Sequence, residues 1–211
     1  MIEPPDAEKA AATGLYFFGM SRTRAWRVPA GPVADVEVEQ IRYRDVEALV
    51  RPTTFEVPEL GRPLIMAHQR VVESAMRRGT VLPAPFGVVF RGPDAVLRFI
   101  EREYALLIEG LAFLEGHWEI RLHLSASGER AESAAVTDLA MRLYADLRQG
   151  ARAAVPFPRA EGKVLGAAFL VDRERWLDFM QRAEELGDTC PDLTLDLTGP
   201  WPAYDFVRVR I

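Results

Sequence analysis

The chain has 211 residues, 49% of them hydrophobic, which is enough for one large or two small folded units and excludes disorder throughout. Its 26 basic and 31 acidic side chains give a net charge of -5 and are spread along the sequence, leaving no cationic stripe for a phosphate backbone and arguing against a nucleic-acid partner. Cys190 is the single cysteine, so no intrachain disulfide can form and a reducing cytoplasm fits; no apolar run approaches bilayer-crossing length, which argues against a membrane partner.

Residues 1–13 open acidic and proline-bearing, without the basic start and apolar core of a secretory signal, and read as a flexible leader. Residues 15–20, entered from Gly14, are an aromatic and aliphatic run that predicts a buried first strand. Residues 21–32 have a loop composition, with Arg22, Arg24, Trp26, Pro29 and Pro32. Residues 33–43 alternate in part and 46–50 resume the apolar pattern, which predicts a hairpin or two consecutive strands. Pro63 suits the first turn of a helix whose stripe is Leu64, His68, Val71, Val72 and Ala75 and whose stop is Gly79. Residues 81–90 carry too much proline for a central strand along their whole length, although 87–90 can form one. Pro93 opens the clearest helix, its face traced by Leu97, Ile100, Tyr104, Leu107, Ile108, Leu111 and Leu114 and ended by Gly116. At roughly 1.5 Å per residue it is about 33 Å long. Its end is the expected boundary between an N-terminal domain, 14–115, and a C-terminal domain, 116–211.

The second half opens with Trp118, Ile120, Leu122 and Leu124 alternating against Glu119, Arg121 and His123, a strand with one buried face. Ala135, Val136, Leu139, Leu143 and Leu147 then take helical spacing, followed by a loop through Gly150, Pro156, Pro158 and Gly162. Residues 164–171 predict a strand, after which Asp172 can cap a helix packed through Trp176, Leu177, Met180, Ala183 and Leu186 and stopped by Gly187. Leu193, Leu195 and Leu197 alternate, and a last strand is expected over 204–211. Two helices and four strands make an α+β unit with both helices on one side of a mainly antiparallel sheet. Its other face, with Glu119, Arg121, His123, Thr194, Asp196, Arg208 and Arg210, is polar enough to meet water or a partner.

The turn between the last two of these segments spends rigid residues on a place without catalytic chemistry. Gly199 can take a backbone angle closed to other residues, and Pro200 and Pro202 each fix φ. Trp201 and Tyr204 offer large apolar faces with a polar handle, suited to an interdomain seam or to a partner surface. Elsewhere, His68, His117 and His123 with Cys190 form no zinc pattern, and no phosphate-binding glycine loop is present, so neither metal nor cofactor is expected. His68, on an apolar stripe, reads as a satisfied core or seam histidine.

Three separated stretches, 68–73, 81–90 and 197–207, together resemble the GvpL/GvpF family of gas vesicle synthesis proteins, in a layout running from about residue 15 to 207. The matching positions are His68 and Val72; Leu82, Pro83, Phe86, Gly87 and Phe90; and Gly199, Pro200, Trp201, Pro202, Tyr204 and Phe206. Pro85, Val88, Ala203 and Asp205 depart from the pattern, where Arg, Thr, Pro and Ser are expected, and the charged helical tail of some relatives is not seen. The resemblance implies two α+β domains, the second ferredoxin-like and the first a modified relative. It also implies a non-enzymatic accessory or minor structural protein of the gas vesicle, in the cytoplasm, that contacts the major hydrophobic shell protein and other accessory proteins. On that reading His68, Phe86, Phe90, Trp201, Tyr204 and Phe206 serve a partner surface or seam, and Pro83, Gly87, Gly199, Pro200 and Pro202 shape structural turns. Self-association is a further possibility; a small-molecule or enzymatic site in an interdomain cleft is the alternative.

Overall fold

A computed structural model describes residues 14–23, 36–56, 61–126, 133–158 and 160–207. The leader and most of the loop expected at 21–32 lie outside them, while Ser21 and Arg22 belong to the first strand. The described residues before Gly116 form one unit and Gly116–Phe206 another.

The first unit is organised by β1 (Gly14–Arg22), whose apolar run is buried almost end to end. β2 (Glu39–Tyr43) and β3 (Val46–Thr53) form an antiparallel hairpin, as the alternation predicts. They are followed by α1 (Arg62–Arg78), β4 (Val81–Pro83), β5 (Val89–Phe90) and α2 (Pro93–Leu114). The sheet is antiparallel in the order β2-β3-β1-β4, with β5 also against β1. Tyr16 and Phe18 meet His68 of α1, whereas Phe17 meets Phe99 of α2, so the helices cover opposite faces of β1. A strand covered on both faces needs the continuous apolar pattern this one has.

The prolines keep residues 81–90 at the sheet edge, where a missing N–H breaks no ladder. The segment still tracks β1, because Ala84 N–H donates to the Phe18 carbonyl at 3.0 Å and Phe17 N–H to the Val88 carbonyl at 2.9 Å. A bulge between Phe17 and Gly19 makes this approach possible. Gly19 has φ 153°, and a Cβ there would stand 2.5 Å from the Leu82 carbonyl oxygen, so β4 can lie this close only against glycine. In α2, Val96 and Phe99 join Ile100, Leu107, Leu111 and Leu114 as the buried residues. Leu97, Tyr104 and Ile108 of the expected face are half-buried.

The second unit runs β6 (His117–Ser125), α3 (Ala134–Gln149), β7 (Ala153–Pro156), β8 (Leu165–Asp172), α4 (Trp176–Asp188) and β9 (Thr194–Trp201). Its antiparallel sheet has the order β7-β8-β6-β9. α3 and α4 close one core over Ile120, Leu122, Leu124, Ala167, Phe169 and Val171, a ferredoxin-like arrangement. The first unit repeats this order, its first strand lying between the third and fourth.

Several expectations fail here for local reasons. The fourth strand is β7, inside the stretch read as loop; it is an edge strand and ends in Pro156, which an edge tolerates. The strand expected over 204–211 does not start at Tyr204, because Tyr204–Phe206 form a 3-10 turn; residues 208–211 lie outside the described ones. Asp172 does not cap α4. Its Oδ1 accepts the Glu174 N–H at 2.7 Å within the preceding turn, and Arg175 takes the cap position without a side-chain bond. α4 packs through Phe179 and Ala183, with the expected Trp176, Met180 and Leu186 against the same core, but Leu177 of the expected stripe is 63% exposed. Gly187 lies inside the last turn, where a Cβ would meet Leu195 at 3.1 Å, and the helix ends at Asp188.

Candidate functional site

Two buried polar clusters stand where the sequence places its unusual residues. In the first unit, His68 sits on the inner face of α1 among Tyr16, Phe18 and Phe86, ring centroids 5.6 to 5.8 Å away. The Tyr16 hydroxyl is 2.8 Å from His68 Nδ1, and Gly87 N–H donates to that hydroxyl at 3.4 Å. Burial pushes the imidazole down to about 4, against a hydrogen bond with the Ala84 backbone that favours the protonated ring. The ring is therefore neutral at pH 7. A neutral imidazole has one acceptor and one donor nitrogen, and the Tyr16 hydroxyl, which both donates and accepts, pairs with Nδ1 in either tautomer. Burial also raises the Tyr16 hydroxyl, which keeps it a donor. The cluster joins α1, β1 and the 84–87 segment, and its 4% exposure suits fastening rather than proton exchange with a bound molecule.

In the second unit, β6 and the terminal turn share a carboxylate. Glu119 is fully buried, which overturns its expected place on an open polar face. Its Oε1 accepts from Arg121 Nε at 2.7 Å and its Oε2 from the Asp205 N–H at 2.9 Å, while Arg121 Nη2 reaches Asp205 Oδ2 at 2.9 Å. Burial raises the Glu119 carboxyl to about 7 and the Asp205 charge adds to the rise, although the Asp205 N–H and Arg121 pull it down.

The turn reaches Glu119 through a bulge. Glu119 pairs with Trp201 and Arg121 with Thr198, so Gly199 and Pro200 both stand opposite Ile120. Gly199 has φ 135°, and a Cβ there would lie 2.9 Å from the Glu119 carbonyl oxygen. That position admits glycine alone without backbone movement.

The predicted site residues thus divide. His68, Phe86 and Gly87 gather in the first cluster, with Pro83 ending the strand beside them. Phe90 turns away from it, onto Phe17 and Phe99 at 5.4 and 5.3 Å. Pro202 and Phe206 are buried, whereas Trp201 and Tyr204 are half-buried, with Trp201 Nε1–H donating to Thr198 Oγ1 at 3.1 Å. Sequence reasoning missed Tyr16, although it is the one hydroxyl-bearing ring in the first strand's buried run. It also missed the Glu119 and Asp205 pairing, which the Asp205 departure signals. Pro85 is exposed, so its departure from the family pattern alters surface rather than packing.

The second unit also holds a cleft of about 410 Å³ between α3, α4 and the end of β8, with Asp146, Asp172, Asp178, Arg175 and Arg182 in its lining. Arg175 and Asp178 face each other at 3.8 Å. Among the described residues, no helix is long and apolar enough to cross a membrane.

Fold and clusters together define a two-unit α+β structural protein that uses its buried polar groups to fasten its own segments. The family profile described as "Gas vesicle synthesis protein GvpL/GvpF" matches residues 14–138 and 129–208, and the chain belongs to that family. It is thereby an accessory protein of gas vesicle assembly, non-enzymatic, acting at the gas vesicle within the cytoplasm. The chain is 27% identical over 207 residues to gas vesicle protein F of Haloferax mediterranei, covering 93% of this chain and 94% of that one. It is 25% identical over 238 residues to gas vesicle protein F of a Streptomyces species, covering 92% and 99%. The crystal structure of GvpF from an Anabaena species superposes with a TM-score of 0.80 at 18% identity, covering 94% of this chain and 97% of that one. GvpF from Microcystis aeruginosa gives 0.77 at 17%, covering 93% and 100%. These two likenesses show the fold.

Proposed function

We propose that the protein assists assembly by binding the major hydrophobic shell protein of the vesicle, and other accessory proteins, reversibly, with Trp201 and Tyr204 among the contact residues. The observation that carries this reading is the likeness to gas vesicle proteins over both units, the family profile reaching from residue 14 to 208. An apolar shell subunit in water needs a partner that covers its surface without altering it covalently. The terminal turn suits that task. β9 is an edge strand ending in Trp201, which stays half-buried while Pro202 and Phe206 anchor the chain behind it. A rigid aromatic presented this way loses little entropy on binding, and the β9 edge, which no described strand covers, can pair with a client strand.

The test is co-purification with the co-expressed shell protein. Trp201→Ala is expected to reduce capture at least about tenfold while the circular-dichroism spectrum stays that of the wild type. Capture unchanged by the substitution removes Trp201 from the contact. A lowered melting temperature with capture retained gives it a purely structural role.

A further inference from the structure

Two helix faces outside both clusters expose apolar side chains beside charges of opposite sign. α1 exposes Met66 at 41% and Ile65 at 40% near its start. Farther along, Arg70 and Arg77 are exposed, and over the whole helix four arginines stand against Glu73 alone. α4 exposes Leu177 at 63%, more than any other large hydrophobic among the described residues. Glu184, Glu185 and Asp188 follow it, and over that helix four acids stand against Arg182 alone.

Helical spacing puts Met66, Arg70 and Arg77 on one stripe and Leu177, Glu184 and Asp188 on another. Both stripes run in the same sense, apolar near the N-terminal end and charged towards the C-terminal end. Met66 to Arg77 and Leu177 to Asp188 span the same number of residues, about 16 Å along each axis. Asp178 sits in the first turn beside Arg175, and Glu185 pairs with Arg182 and Gln181, whereas Glu184 and Asp188 stand towards the C-terminal end. The helix dipole disfavours negative charge in a last turn, and no basic residue offsets it there.

We propose that α1 of one copy packs lengthwise on α4 of a second copy, Leu177 seating beside Met66 and Ile65 and the acids of α4 meeting the arginines of α1. The two faces differ, so the contact is head-to-tail. Each added copy keeps one free face of each kind, and association continues into a chain or closes into a ring. This goes beyond the shell-protein reading and does not depend on it.

Sedimentation velocity of the full chain over rising concentration tests it. Helix-on-helix contact is at the small end of interface sizes, so growth past the dimer is expected at about 10 µM and above, and added salt weakens it. Arg70→Glu/Arg77→Glu and Glu184→Arg/Asp188→Arg change exposed positions and keep the wild-type circular-dichroism spectrum. Each variant alone associates at least about tenfold more weakly. Mixed in equal amounts they associate again, because each reversed face finds its opposite on the other variant. Leu177→Ser weakens association without changing charge. A wild type that stays monomeric at every concentration overturns the proposal, as does association that survives both reversals or a mixture that fails to restore it.

Discussion

Replacing His68 by alanine is expected to destabilise the first unit by about 3 kcal/mol, measured by denaturant unfolding at pH 7.5. Two losses add. Truncation empties a site lined by Tyr16, Phe18 and Phe86, and the Tyr16 hydroxyl loses the Nδ1 partner it holds at 2.8 Å. Tyr16→Phe keeps the ring packing and removes the hydroxyl's bonds to His68 and to the Gly87 N–H, and is expected to cost about 1 kcal/mol. Equal effects from the two substitutions would show that the hydrogen bond, and not the packed ring, fastens α1.

The same residue gives the unit an acid sensitivity with a defined sign. Unfolded, the imidazole titrates near 6.5; folded, it titrates near 4. Between those values the unfolded chain holds more protons, so His68's contribution is complete above pH 6.5 and is lost as pH falls towards 4. The interval corresponds to about 3 kcal/mol. Glu47, also fully buried, acts the opposite way, since burial raises its carboxyl and its contribution is lost as pH rises. The difference between wild type and His68→Phe isolates the histidine. Stability of the variant should fall less steeply from pH 6.5 to 4, and parallel curves would show that His68 does not titrate with folding.

Local order in the sequence was readable wherever one face decides the pattern. The stripe of α1 follows from a 3.6-residue period and its stop from Gly79, and the apolar run of β1 reads as a buried strand. β7 was not readable, since four residues ending in Pro156 become a strand only by pairing with β8. Of the α4 stripe, Trp176, Met180, Ala183 and Leu186 do pack on the core; Leu177 does not, and Phe179 takes its place because Leu177 and Phe179 are equally apolar and only the core shows that Phe179 meets Phe169 at 5.3 Å. Alternation along β6 correctly separated Glu119 from Ile120. It carries no information about what lies over Glu119, which is settled by a backbone N–H 86 positions later. The His68 cluster shows the same limit: the helix stripe predicts a histidine that needs a partner, and the partner comes from β1, 52 positions earlier.

Glu119 is the other residue whose loss should be large, and its pH dependence has the reverse sign. Glu119→Ala removes the acceptor of the Asp205 N–H and of Arg121, and leaves a vacancy under the terminal turn. Breaking a buried pair costs about 3 to 5 kcal/mol. Arg121 is 32% exposed and recovers solvation, so about 2 kcal/mol is expected. Glu119→Gln behaves differently. Its amide oxygen can take the Asp205 N–H, while its NH2 replaces the Oε1 that accepts from Arg121 Nε, so that bond is lost and the charge beside Asp205 is removed with it. The Glu119 carboxyl titrates near 7 folded against 4.5 unfolded, so its contribution is complete below pH 4.5 and is lost as pH rises through 7. Wild type should therefore lose stability relative to Glu119→Gln between pH 5 and 8, as followed by denaturant unfolding at each pH. If instead the glutamine variant is the less stable at pH 8 by the same margin as at pH 5, Glu119 is ionised across the range and Arg121 outweighs burial.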